Sequence, residues 1–495
     1  MDMLFGSSLA AGTVVLLVLA LLLALAFEFV NGFHDTANAV ATVIYTKSLK
    51  PNQAVLWSGL CNFVGVLTST GAVAFGIVAL LPIDLIVNVG SGPGFAMVFA
   101  LLLSAIIWNL GTWALGLPAS SSHTLIGSIV GVGLANSLMT PGAHFGEGVN
   151  WGKVSDTGLS LLISPLIGFI VAGLLLLLIK LVIRRPELFT APKGDTPPPL
   201  WIRAVLIFTC TGVSFAHGSN DGQKGMGLIM LILIGIVPGV YALNLGADTK
   251  TVAALVSTTH AGVQVADRLA GSAPVPGDAD AQAALTAYVR SGKLADTTLP
   301  ALAHTLHEID ANVAQISAIK DVPEATRRTL RAETYLASES IGKLSKGNAL
   351  NDADKKTLGA ARDQFKAVTT FIPVWVKAAV AFALGLGTMI GWKRIVVTVG
   401  ERIGKAHLTY AQGAAAEIVA MATISAADVL GLPVSTTHVL SSGIAGTMFA
   451  NHSGLQKETI QKILMAWVLT IPVCVFLGAM LFSAGLYVSF HLFGA

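Results

Sequence analysis

Two stretches of this chain gather hydroxyl groups behind a proline: GLPASSSH at 116–123 and GLPVSTTH at 431–438. Five of the eight positions are identical, and two of the others exchange one hydroxyl residue for another. Pro118 and Pro433 disfavour helix at the residue before them and supply no N–H. Ser-Ser-Ser-His and Ser-Thr-Thr-His then start new helices, because serine and threonine are good N-caps. The N–H groups and positive dipole end of such a helix form an anion site. Two of them facing each other would surround a small oxyanion with hydroxyl and amide donors and need no arginine. The competing reading is structural, since serine and threonine are common at helix–helix contacts in membranes. Duplication with the same proline and histidine favours the anion site.

Acids stand at matching places. GFHDTANA (32–39) aligns with GSNDGQKG (218–225), which sets Asp35 over Asp221 and Asn38 over Lys224. An aspartate at a membrane centre costs about 2.5–3.5 kcal/mol or more, and two of them repel an oxyanion unless cations or protons come with it. Asp35 and Asp221 therefore read as coupling-ion ligands, with helix N-capping as the alternative. Glu417, in QGAAAEIVAMATI, is a third such acid; Glu28, one turn above the first polar segment, has no repeat partner. His34, His123, His217 and His438 adjoin these segments as proton relays or as hydrogen-bonding braces. A Ser122–His123 nucleophile is disfavoured, because adjacent residues rarely face each other on a helix and no G-x-S-x-G motif occurs. The chain reads as a non-enzyme.

The elements that must hold these groups are membrane helices. The 495-residue chain is 54% hydrophobic and 12% charged, against about 25% charged in soluble domains. Candidate spans are 10–46, 53–81, 95–115, 121–139, 157–183, 201–240, 371–392, 406–430, 436–450 and 461–488, several reaching the ~20 apolar residues a bilayer requires. The first is expected to be a retained span rather than a signal peptide. Glycine and asparagine at 31–38 and 217–224 argue for breaks in the first and sixth spans. A net charge of +3 without basic clusters disfavours nucleic acid. Cys61, Cys210 and Cys474 read as buried hydrophobes, and no cofactor is expected.

The expected domains are a first transmembrane repeat at 1–183, a charged, proline-rich linker at 184–200 and the start of a second repeat at 201–247. A water-exposed, mostly helical insertion follows at 248–370, and the rest of the second repeat at 371–495. Its histidines, His260, His304 and His307, read as solvated surface. Arg184, Arg185, Lys393, Arg394, Arg402 and Lys405 flank spans and should be cytoplasmic. That assignment puts both termini and the insertion outside and lets the two hydroxyl hairpins enter from opposite faces. The fold class is then an all-α membrane protein of two inverted repeats with broken helices and two re-entrant hairpins, the plan of many secondary transporters.

At these residues the chain resembles the PiT family of inorganic phosphate transporters. GFHDTANAVAT and FAHGSNDGQKG resemble its paired signatures, and GLPASSSH and GLPVSTTH its paired hairpins. IIWNLGTWALGLPASSSHTLIG and NDGQKGMGLIMLILIG are similar to the bacterial low-affinity members. The resemblance implies phosphate symport in a multi-pass protein of the cell inner membrane. Ser120, Ser121, Ser122, Thr124, Ser435, Thr436, Thr437, Asn38 and Lys224 would bind phosphate, and Asp35, Asp221 and Glu417 would handle the coupling ion or proton. Where sodium-coupled members often have glutamate and asparagine, this chain has Asn62 and Lys224. A fixed ammonium repels sodium, so protons are the expected partner, with sodium coupling as the alternative. Phosphate could also travel as a neutral complex with magnesium or another divalent cation, which Asp35 and Asp221 would ligate. Sulfate or arsenate as substrate, a channel-like pore and a homodimeric assembly stay open.

Overall fold

The computed structural model describes residues 9–81, 90–140, 142, 144–192 and 194–492, without the side chains of 36–38. Among the described residues the architecture is helical. The first half runs α1 (Ala11–Tyr45), α2 (Pro51–Thr68), α3 (Ala72–Val78), α4 (Gly92–Ala114), α5 (Ser121–Met139) and α6 (Trp151–Val182). Next come α7 (Leu200–Ile236), α8 (Pro238–Tyr241), α9 (Thr249–Ala270), α10 (Asp278–Ser291), α11 (Thr298–Val313), α12 (Glu324–Lys346) and α13 (Asp352–Thr369). The chain closes with α14 (Val374–Met389), α15 (Lys393–Glu401), α16 (Tyr410–Val429), α17 (Thr436–Ala450) and α18 (Lys457–Leu492).

Five helices are long and apolar enough to cross a bilayer: α1, α4, α6, α7 and α18. The pair α2 and α3, bent by 76°, meets the same test together, as does the pair α13 and α14. Residues 230–371 form the body of one compact unit. Its helices α9 to α13 enclose an apolar core that includes Leu285, Leu306, Ile341, Leu358 and Phe365. Arg331 Nη1 ties the unit internally by donating to the carbonyls of Ala242 (2.7 Å) and Thr369 (2.6 Å). The second unit holds every candidate site residue and the other membrane helices, except α1 up to Leu17 and α7 from Met230, which fall in the first.

Within that second unit the two halves of the sequence pack reciprocally. Helix α6 lies on α17, and α18 lies on α5. Glycine makes both crossings close: a Cβ on Gly131 would stand 2.8 Å from the Val475 carbonyl carbon, and one on Gly446 2.7 Å from that of Phe169. Small residues let backbones approach where lipid supplies no hydrophobic drive.

The structure corrects one expectation. Helices α1 and α7 are continuous through 31–38 and 217–224. Gly32 and Gly218 serve close approach rather than unwinding. A Cβ on Gly32 would meet the Thr388 amide nitrogen at 2.9 Å, and one on Gly218 the Asn62 Cα at 2.6 Å. His34, Asp35, His217 and Ser219 find partners on other helices, and the backbone of α1 and α7 stays helical beneath them. The interruptions fall at 115–120 and 430–435. Both start alike: Gly116 (φ 66°) and Gly431 (φ 65°) turn left-handed, and Leu117 and Leu432 return an N–H to Thr112 and Ala427, each at 2.9 Å. This is the glycine helix stop, and the prolines that follow prevent resumption before Ser121 and Thr436.

Candidate functional site

Each new helix opens on a serine cap. Ser120 Oγ accepts from the His123 amide at 3.3 Å, and Ser435 Oγ from the His438 amide at 3.1 Å. The next residues of α5 and α17 keep amides with no intrahelical acceptor, as every helix start does. Both openings are buried: residues 120–133 and 433–448 are shielded from solvent throughout.

One carboxylate joins the two openings. Asp35, on α1, accepts from Ser121 Oγ at 2.8 Å through Oδ2 and from Thr437 Oγ1 at 2.6 Å through Oδ1. His34 Nδ1 lies 3.1 Å from the same Oδ1, and His34 Nε2 lies 3.1 Å from Thr112 Oγ1, which orients the ring. From α7, Lys224 Nζ donates to Ser121 Oγ at 3.1 Å and pairs with Asp221 Oδ2 at 2.7 Å. His217 Nε2 is 3.5 Å from that Oδ2, while His217 Nδ1 meets Asn62 Oδ1 at 2.9 Å and Asn62 donates to Thr388 at 3.1 Å. Lys224 and Asp221 are fully buried. A buried ion pair persists only with good geometry and further hydrogen bonds, and Ser121 contributes one.

Of the residues singled out from sequence, Asp35, Ser121, Thr437, Asp221 and Lys224 thus come together. Ser122 does not point at them: its Oγ donates to the Val434 carbonyl at 2.7 Å and fastens one hairpin to the other. Thr124 Oγ1 is spent on Asn109 Oδ1 (3.0 Å) and the Ser120 carbonyl (2.7 Å). Thr436 Oγ1 is buried without a hydrogen-bond partner. Glu417 takes Thr42 and Thr209 as hydroxyl donors and lies outside the Asp35 network. The side chain of Asn38 lies outside the described residues.

Other groups were less legible. Asp428 accepts from Ser219 Oγ and Gln223 Nε2, both at 2.6 Å, and so brackets α7 from the far side. Its signal was an acid three residues before Gly431. The hairpin histidines form a stack: His123 and His438 have ring centroids 4.5 Å apart, and His438 lies on Trp467 at 3.8 Å. Trp467 Nε1 then donates to the Pro118 carbonyl at 2.8 Å. That arrangement suits bracing. One oxygen or nitrogen each from Asp35, His217 and Asp221 lie within 4.8 Å of one another, a spacing that could hold a divalent cation. The Lys224 ammonium already stands on Asp221 and would have to yield to it.

Comparison with known proteins agrees with this architecture. Residues 31–478 match the family described as the phosphate transporter family. The low-affinity inorganic phosphate transporter PitB of Escherichia coli (strain K12) is 42% identical over 493 residues, covering 96% of each chain. A probable low-affinity inorganic phosphate transporter of Bacillus subtilis (strain 168) is 29% identical over 467 residues, covering 94% of this chain and 96% of its own. A solved structure described as the sodium-dependent phosphate transporter shares the fold at a TM-score of 0.51 and 18% identity, covering 95% of this chain and 98% of its own. With two hydroxyl-capped half-helices meeting at buried charges and a family match over most of its length, the chain belongs to the phosphate transporter family.

Proposed function

We propose that this protein is a multi-pass carrier that imports inorganic phosphate together with protons across the cell inner membrane. The observation that carries the reading is the Asp35 carboxylate, which takes hydroxyl donors from both half-helices at once. A pair of oxygens is thus already accommodated where two helix N-termini converge, and phosphate offers the same oxygens in tetrahedral form. On arrival it takes Ser121, Thr437 and the adjoining amides, and Lys224 supplies a fixed positive charge. The reciprocal packing of α6 on α17 and α18 on α5 supports two inverted repeats that swap hairpins, which is the arrangement that opens one midplane site to each side in turn.

Proton coupling follows from charge. Lys224 stands beside Asp221 and Ser121, so a sodium ion there would face an ammonium within a few ångströms. Buried acids supply the coupling machinery in this reading, Asp35, Asp221 and Glu417 among them. The experiment is uptake of labelled phosphate into proteoliposomes, with the pH gradient, sodium and magnesium varied separately. Accumulation that follows the pH gradient and ignores sodium is the expected result; accumulation that follows sodium and survives a protonophore overturns proton coupling. The cluster of Asp35, His217 and Asp221 favours a second reading, in which a divalent cation travels as cargo with phosphate. Equimolar uptake of labelled magnesium would support it.

A further inference from the structure

We infer that Glu28 carries the co-transported proton and that Lys224 links this proton to phosphate. The inference rests on the proton-symport reading above and names the group that performs it. Glu28 lies in α1, seven residues before Asp35, and is fully buried. Its Oε2 accepts a long bond from Asn31 Nδ2, at 3.4 Å, and its buried Oε1, without a well-formed hydrogen bond, faces the Gly225 backbone. Gly225 leaves room for it: a Cβ there would stand 2.6 Å from Oε1. The charged groups that act on it are Lys224 and Asp221, both from α7.

The other buried acids are better provided for. Asp35 accepts from Ser121 and Thr437 beside His34; Asp221 is paired with Lys224; Glu417 has two threonine hydroxyls. Hydrogen bonds and opposite charges favour the ionised form of a carboxyl, and burial disfavours it. Glu417 is as deeply buried, but Glu28 combines that burial with sparse hydrogen bonding and the pull of the Lys224 ammonium, so its proton is the one that phosphate at Ser121 can influence.

Lys224 supplies the coupling. Its ammonium touches Ser121, where phosphate docks, and sits one residue from Gly225, against which Glu28 lies. Bound phosphate draws on that positive charge, and an ionised Glu28 would then face Asp221 without relief. Phosphate and the Glu28 proton therefore favour each other's presence, and linkage makes the effect reciprocal. When phosphate leaves, the ammonium again favours the ionised carboxylate, and the proton departs to the same side.

The test uses the full chain in proteoliposomes. Wild-type protein should accumulate phosphate by about tenfold per coupled proton for each unit of imposed pH gradient. Glu28→Gln should still exchange internal for external phosphate but bring labelled phosphate only to equilibrium under the same gradient. Its phosphate affinity in detergent should lose the pH dependence of the wild type. Gradient-driven accumulation by Glu28→Gln at the wild-type level overturns the assignment and leaves proton symport standing. A wild type that ignores the gradient overturns both. Loss of exchange in Glu28→Gln and in Glu28→Asp alike would make Glu28 a structural residue and also overturn the proposal.

Discussion

The polar groups of the hairpin region and those of the 249–369 helices are similar in kind and opposite in setting. Around Asp35 and Asp221, histidine, lysine and hydroxyl partners are all buried. On the inserted helices, His260–Asp310 (3.2 Å), His304–Asp278 (2.8 Å) and His307–Asp267 (2.9 Å) pair with at least one partner exposed in each case. Exposed pairs are worth about 0–1 kcal/mol. A buried pair can be no more stabilising overall, but removing one partner costs several times as much. The same side chains are therefore decoration in one region and a constraint in the other.

The sharpest way to break this comparison is Lys224→Met. It leaves Asp221 buried beside a methyl group, and we expect a loss of about 3–5 kcal/mol and no transport. Thermal unfolding in detergent reads the first and uptake the second. Adding Asp221→Asn should recover most of the stability and none of the transport. Next come Ser121→Ala and Thr437→Ala, each removing a hydroxyl that donates to a charged group, worth about 1.5–3 kcal/mol and hence roughly tenfold or more in phosphate affinity. Ser122→Ala should leave affinity closer to wild type, because its bond to the Val434 carbonyl joins the hairpins. Equal losses at Ser121 and Ser122 in equilibrium binding would contradict the geometry.

A smaller effect sharpens the other side. Glu333, on α12, is pushed up to about 7, chiefly by burial, with Glu308 and Asp278 adding and His304 opposing. A raised carboxyl stabilises the fold below its unfolded value and loses that contribution as pH rises through the folded one. Protection of the α12 amides, corrected for the intrinsic exchange rate at each pH, should therefore fall between about pH 5 and pH 8, and Glu333→Gln should flatten the change. Because the side chain is partly exposed, the effect should be on the order of 1 kcal/mol. Smallest of all, His260→Ala should shift stability by less than about 0.5 kcal/mol and leave uptake unchanged.

Much of the hairpin chemistry was legible before any coordinates. Hydroxyl residues cap the new helices as the doubled motif suggested, at Ser120 and Ser435, while the sequence pointed to Pro118 and Pro433 for the break and the structure adds Gly116 and Gly431 as the residues that stop the preceding helices. The reading erred on α1 and α7, because helix propensity weighs glycine and asparagine without knowing their neighbours. Gly32 turned out to admit the α14 backbone and Gly218 that of α2. The sequence nominated seven hydroxyls as oxyanion donors. Four of them, at Ser120, Ser122, Thr124 and Ser435, are turned to cap or carbonyl partners.

Local chemistry along the chain was enough to establish a lipid-embedded helical protein, two proline-gated helix starts rich in alcohol groups, and acids too costly to be incidental. Those features depend on composition and on residues within a few positions of one another. Which hydroxyl meets which carboxylate could not be read that way. Ser121, Thr437 and Lys224 reach the Asp35 and Asp221 carboxylates across separations of 86 and 402 residues in two cases and across only three in the third. Such long-range meetings are set by how α1, α5, α7 and α17 pack, and in a medium without water that packing decides whether a polar side chain becomes a ligand, a brace or a proton carrier.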